Sequence, residues 1–236
     1  SIPTGVRRIG GALSATAKID GLDERVNADV AIIDTGIDPA HPDLHVAGSV
    51  TFVAGTTTDA DDNGHGTHVA GTIGALDNGI GVVGVAPGAR VWAVKVLNKR
   101  GSGFVSDIVR GLDWVTANAA TIEVANMSLG GSGSECLEGT GCVKSSLQLA
   151  IERSVAAGVT YAVAAGNEGA DASLSVPSAY DVVITVSAYS DADGVLGAGD
   201  GWPTFTNFGA DVDLAAPGVN IYSTWKDTGY NTISGT

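Results

Sequence analysis

The hydrophobic residues fall into two kinds of run. Val30-Ala31-Ile32-Ile33 is continuous and β-branched, the pattern of a strand buried on both faces. Val91 to Val96 and Val159 to Ala164 read the same way, and Val182 to Val186 and Val212-Asp213-Leu214 complete the predicted set. Between them the period changes. Val105, Ile108, Val109, Leu112 and Val115 fall at i, i+3, i+4, i+7 and i+10, one apolar face of a helix starting after Gly103. Leu147, Ala150, Ile151 and Val155 repeat that pattern. Strands alternating with helices predict an α/β fold, a mainly parallel sheet flanked by helices on both faces. Ligands in such sheets bind at the carboxyl ends of strands, and Asp34 follows Ile33 directly.

Composition narrows the class. In 236 residues, 44% are hydrophobic and 16% charged, a globular balance on a chain long enough for one sizeable core. No apolar run approaches the ~18 residues that span a bilayer. Ser1 opens without a basic n-region and apolar h-region, the pattern expected where a signal peptide has been removed or never existed. The net charge of -14 argues against nucleic acid or an anionic membrane as partner, since both demand a basic face. It suits solubility outside the cell or binding of hard cations, and equally a generic solvated acidic surface. Cys136 and Cys142 flank a short loop containing Gly139 and Gly141. Two ligands are too few for a structural zinc site. A disulfide, worth about 2 kcal/mol across so short a span, is favoured over two free thiols and points to an oxidising compartment.

Candidate chemistry starts at Asp34-Thr35-Gly36. Alone, an aspartate there is an ordinary strand-ending turn; His65 changes the picture. It follows Asp61-Asp62-Asn63-Gly64 and opens a helix of small residues, His65 to Thr72, so its imidazole can point into a cleft. An imidazole with one nitrogen on a carboxylate is the base that a serine hydroxyl requires. His65 and His68 could instead pair on a metal, but no third ligand lies at a recognisable interval. Asn126 to Gly131 reads as a strand running out into glycines, and Gly101-Ser102-Gly103 offers a second exposed edge; either could pair with an extended peptide. Asn167, just past a buried strand, could donate to a developing oxyanion.

Eight stretches, taken together and in order, resemble the bacterial subtilisin-type serine proteases of the subtilase family. They are Asp34 to Asp38, His41 to Leu44, His65 to Thr72, Gly84 to Pro87, Ser128 to Gly131, Ala165 to Gly169, Ala216 to Gly218 and Ser234 to Thr236. The resemblance implies a subtilisin-like fold and a secreted, extracellular endopeptidase, with residues 1–236 a single catalytic domain lacking the segment from the nucleophile onward. It implies that Asp34 orients His65, that His65 is the general base and acid, and that Asn167 lines the oxyanion hole. The nucleophilic serine would follow Thr236; Ser234 falls three places too early. Gly101, Ser102 and Gly103, with Ser128, Leu129 and Gly130, would hold substrate backbone as strands. Ala164, Ala165, Gly166 and Glu168 would border a specificity pocket, with a hydrophobic preference as the family expectation. The partners implied are an extended polypeptide substrate, the protein's own propeptide or a C-terminal companion chain.

The resemblance also implies a structural calcium ion, held by the carboxylate of Asp43, the carbonyls of Leu76, Ile80 and Val82 and the side chain of Asn78, on a loop that interrupts the histidine-bearing helix. Such an all-oxygen set with one charge suits that ion. Relatives add a side-chain oxygen from the extreme N-terminus, which Ser1-Ile2 does not supply as the usual amide. Ser132 to Val143 and Gly194 to Trp202 look like insertions. Two rivals are an aspartic protease, because Asp-Thr-Gly recurs at Asp227, and a catalytically silent fragment that binds extended peptides. The helical patterns oppose the first, which needs an all-β bilobed fold.

Overall fold

Val30 and Ile32 face one side of the strand Asp29–Asp34 (β1) while Ala31 and Ile33 face the other, and all four are buried. A pleated strand sends successive side chains to opposite faces, so an unbroken apolar run needs cover on both. The computed structural model, which describes residues 1–197 and 199–236, shows that cover. Ala198, inside the expected insertion from Gly194 to Trp202, lies outside the described residues.

β1 runs inside a seven-stranded sheet with Val46–Thr51 (β2), Arg90–Lys95 (β3), Val124–Met127 (β4), Thr160–Ala164 (β6), Ile184–Tyr189 (β8) and Leu214–Pro217 (β9). Their order is β2-β3-β1-β4-β6-β8-β9, and every neighbouring pair is parallel. Two short antiparallel ribbons stand apart: Gly131–Ser132 (β5) with Ser175–Val176 (β7), and Ile221–Trp225 (β10) with Gly229–Ile233 (β11). A single turn, Thr4–Arg8 (α1), rests on Pro217 at the sheet's far edge.

Helix His65–Gly74 (α2) covers the Val30 and Ile32 face, with Ala70 buried against Val91 and Ala93. Helices Val105–Ala117 (α3) and Ser146–Ala156 (α4) cover the other, where Leu112, Val115, Ala150 and Ile151 meet Ile33, Val94 and Met127. The Ser145 hydroxyl caps α4 by accepting from Gln148 N at 3.1 Å, a bond that starts the helix where the disulfide loop ends. Leu112 is fully buried, so truncating it to alanine costs about 2–5 kcal/mol. Val105 opens α3 beyond the sheet and is exposed, leaving the predicted face one residue shorter.

Three expectations are corrected. The strand expected from Val182 begins at Ile184, because Val183 N is turned back onto Tyr180 O. The strand expected over Val212 to Leu214 begins at Leu214 and runs on to Pro217; Asp213 precedes it and accepts from Thr185 N, capping β8 instead. The loop from Leu76 does not interrupt α2 but follows its end at Gly74, since Gly84, Val85, Ala86 and Gly88 return to take up the carbonyls of Ala75, Thr72, Ile73 and Gly74.

Candidate active site

The parallel sheet brings the ends of β1 and β6 and the start of α2 to one side, and the candidate residues gather there. Asp34, the last residue of β1, has no exposed surface. His65 is the first residue of α2. Its Nδ1 lies 2.8 Å from Asp34 Oδ1 and 2.9 Å from Oδ2. A carboxylate only accepts, so Nδ1 carries the proton and Nε2 is the basic nitrogen of the neutral ring. Burial pulls the imidazole pKa down, but the hydrogen bond and charge of Asp34, with the charge of Asp61, outweigh it, and the value is raised above the ordinary 6.5.

Local chemistry makes this approach possible. Any Cβ on Gly66 would overlap the Gly36 carbonyl, so only glycine lets α2 lie this close to β1. Asp61, nearly buried, ties both sides together: Oδ1 accepts from Thr35 Oγ1 at 2.9 Å and Gly64 N at 2.8 Å, and Oδ2 from Thr67 N and Oγ1. Thr35 in turn donates its backbone N–H to Asp34 Oδ1 at 2.6 Å and accepts from Gly66 N. The buried Lys95 ammonium bonds the Thr35 carbonyl and pairs with Asp62 at 2.7 Å. In the sequence Asp61 is only part of the acidic lead-in to His65; its one local signal is an aspartate ahead of a helix start.

Asn167 stands on the exposed turn after β6, beyond Gly166, whose φ is +109°. Its Oδ1 accepts from Thr236 N at 3.1 Å and from Thr236 Oγ1 at 3.2 Å, which leaves Nδ2 as the donor. Gly166 N donates to Thr236 Oγ1 at 3.1 Å. Ala164 ends β6; Ala165, Gly166 and Glu168 share this turn, and the carboxylate of Glu168 accepts from Asn207 Nδ2 at 2.9 Å. Ser128, Leu129 and Gly130 continue from β4 toward β5, with Ser128 Oγ donating to Asn126 Oδ1. Gly101, Ser102 and Gly103 form an exposed turn closed by Asn98 N to Ser102 O. Asn63 links that side to the histidine, accepting from His65 N and donating to Lys99 O.

A second cluster surrounds Asp43, which is fully buried. Its Oδ2 accepts from Val82 N and Tyr230 OH, each at 3.1 Å, while Oδ1 is buried with no hydrogen-bond partner among the described residues. Burial raises the Asp43 pKa against the opposing hydrogen bonds from Val82 and Tyr230. Leu76 N donates to the Asp43 carbonyl, and Asn78 Oδ1 accepts from Ile80 N. A buried carboxylate oxygen without a donor is costly unless a cation meets it, so the donor set fits an oxygen-seeking ion. No group of three or more His, Cys, Asp or Glu side chains gathers at metal-binding range among the described residues; the expected set has one carboxylate. Cys136 and Cys142 are disulfide-bonded.

The alternative constellations disperse. Asp227 lies with Thr228 in the left-handed turn of the β10–β11 hairpin, 84% exposed at its side chain and paired with Lys226, unlike the buried Asp34, so no carboxylate dyad forms. His68 Nε2 is bound to Ile221 O at 2.9 Å, so the two histidines do not share a site. Ser234 Oγ accepts from Asn220 N. Among the described residues no helix is long and apolar enough to cross a membrane.

A sequence model described as the subtilase family matches residues 27–236. Subtilisin DY of Bacillus licheniformis is 43% identical over 214 residues, covering 89% of this chain and 71% of its own length. Subtilisin Savinase of Lederbergia lenta is 39% identical over 236 residues, covering 100% and 79%. A crystal structure of a cold adapted subtilisin-like serine proteinase superposes with a TM-score of 0.74 at 35% identity, over 93% of this chain and 78% of that one.

Proposed function

The chain belongs to the subtilase family and is a subtilisin-type serine endopeptidase, and we propose that it is secreted and works through an Asp34–His65–serine triad. The observation that carries the reading is the contact of buried Asp34 with His65 Nδ1. In this reading the nucleophile is a serine following Thr236. His65 Nε2 takes its proton as the hydroxyl attacks the scissile carbonyl, and Asn167 Nδ2 donates to the oxyanion that forms. His65 then gives the proton to the leaving amine, and an acyl-enzyme remains until water, losing its proton to His65 Nε2, attacks the acyl carbonyl; His65 returns that proton to the serine oxygen as the ester bond breaks. Asp34 holds the tautomer and balances the imidazolium charge. The hydrogen bonds of Thr236 to Asn167 support the nucleophile's position, because they bring the following residue beside the oxyanion donor.

The substrate is an extended polypeptide paired between Gly101–Gly103 and Ser128–Gly130, with a side chain directed at the wall formed by Ala164, Ala165, Gly166 and Glu168. The disulfide supports an oxidising, extracellular setting. Residues 1–236 belong to one catalytic domain, which the segment carrying the nucleophile completes. A calcium ion held by Asp43, Leu76, Asn78, Ile80 and Val82 would neutralise the buried carboxylate and tie the loop after α2 to the segment before β2; the partnerless Oδ1 supports it.

The test is labelling of the full-length protein by a fluorophosphonate, read by intact mass. One adduct on the parent and none on His65→Ala at equal folding supports the triad. Equal labelling of the two would remove His65 from the chemistry.

A further inference from the structure

Asn207 lies between β8 and β9, far along the chain from Asn167, and is 1% exposed. Its side chain uses its whole hydrogen-bonding capacity on one target, the turn that carries Asn167. Nδ2 donates to Ala165 O and to Glu168 Oε2, both at 2.9 Å. Oδ1 accepts from Glu168 N and Ala170 N, both at 3.0 Å. Its backbone N–H donates to Gly166 O at 2.9 Å. The clamp thus grips the residues on both sides of Asn167 and makes no hydrogen bond to Asn167 itself, whose Oδ1 is held by Thr236. It is itself anchored, since Ser187 Oγ donates to Asn207 O at 2.6 Å from within β8. The fit is close: a Cβ on Gly166 would overlap Asn207 Nδ2, so this turn and this amide occupy each other's only available space.

Two donors and two acceptors in one plane match this turn, which offers two acceptors (a carbonyl and a carboxylate) and two N–H groups. An aspartate has the shape but no donor, so it would leave Ala165 O without a partner and face the Glu168 carboxylate with like charge. A serine reaches at most part of the set. An oxyanion donor helps only if it is already aimed where charge develops, and removing one typically costs about 10²–10³ in kcat. Resting on the proposed function above, we propose that Asn207 is a positioning residue for catalysis, a buried amide clamp that fixes the Asn167 turn so that Asn167 Nδ2 is aimed at the oxyanion before substrate arrives.

The experiment is a double-mutant cycle in the full-length protein with a peptide substrate, reading kcat and KM separately. Asn207→Ala is expected to lower kcat by about 30-fold or more while KM moves less than about threefold, following the scale of misplaced catalytic groups. In the Asn167→Ala background the same change should lower kcat by less than about threefold, since there is no donor left to aim. Equal fold-losses in the two backgrounds, or an unchanged kcat, would overturn the role. Should the alanine variant fail to fold, Asn207→Asp is used instead. Its loss in kcat should be partly restored by Glu168→Gln, which returns a donor opposite the new carboxylate; no restoration counts against the clamp. An inactive parent would overturn the proposed function and this role together. An active parent with equal losses overturns the clamp alone.

Discussion

His65 Nδ1 is shared between both carboxylate oxygens of Asp34, at 2.8 and 2.9 Å, although the two residues lie 31 apart in sequence. The carboxylate has no exposed surface, while the imidazole is about a third exposed. One partner is thereby fixed in the protein and the other is open to solvent on one side. That asymmetry is what an orienting group and a proton carrier respectively need.

The pH dependence follows from it. In the proposed mechanism the base must be neutral, and Asp34 raises the imidazole pKa, so kcat/KM should fall as pH drops through a midpoint above the ordinary 6.5. Asp34→Asn removes the two raising contributions of Asp34 and leaves burial, which lowers the value, opposed by the charge of Asp61. The acid limb should therefore move to lower pH, with kcat reduced on the order of 10⁴-fold because the tautomer is no longer held. A pH–rate profile of both proteins checks the sign; a limb that stays put or rises in the variant contradicts it.

Gly66→Ala should disable the site without touching a reacting atom. Its Cβ would overlap the Gly36 carbonyl, so α2 must withdraw from β1 and carry His65 with it. Displacement of about 1 Å costs roughly 100-fold in rate. The expected outcome is a loss of that order in kcat together with a lower thermal midpoint, measured by peptide hydrolysis and calorimetry. Gly79→Ala, where nothing among the described residues lies within 4 Å of the added atom, serves as a contrast for the steric effect, although its left-handed backbone makes it costly to stability as well.

Chelation should lower stability before activity. An ion at about 100 times its dissociation constant stabilises by about 2.7 kcal/mol. In a chain of this length that corresponds to roughly 5–10 °C in thermal midpoint. Excess chelator should shift the parent by that amount, and Asp43→Asn, which lacks the buried charge, should respond to neither calcium nor chelator. Scanning calorimetry with and without calcium decides it; an unresponsive parent removes the ion.

Replacing Cys136 and Cys142 together by serine opens a short loop and should cost about 2 kcal/mol. The midpoint should fall by roughly 4–8 °C while kcat at 25 °C stays within about twofold. The loop's other anchor remains: Gln148, buried in α4, accepts from Cys136 N and donates to Cys136 O, both at 3.0 Å. A loss of activity at full folding would instead tie the loop to the substrate cleft.

What the sequence determined by itself was whatever has a local signature. The double-faced burial of Val30 to Ile33, the apolar faces of α3 and α4 and the placing of Asp34, His65 and Asn167 at element ends all follow from periodicities of two and 3.6 and from short motifs. Tertiary structure alone decided the rest. β2 is half-buried and interrupted by Gly48, which lies under the Trp92 ring, so its alternation is too weak to read. The β10–β11 hairpin is fixed by Ser223 and Thr224 hydroxyls donating to α2 carbonyls more than 150 residues away. Asp61 and Asn207 look like loop residues until the chain folds, because a hydrogen-bonding hub is defined by which distant groups converge on it. Hydrophobic pattern chooses which residues are inside, but it does not say which buried polar groups meet, and that pairing depends on geometry that exists only once the sheet is assembled.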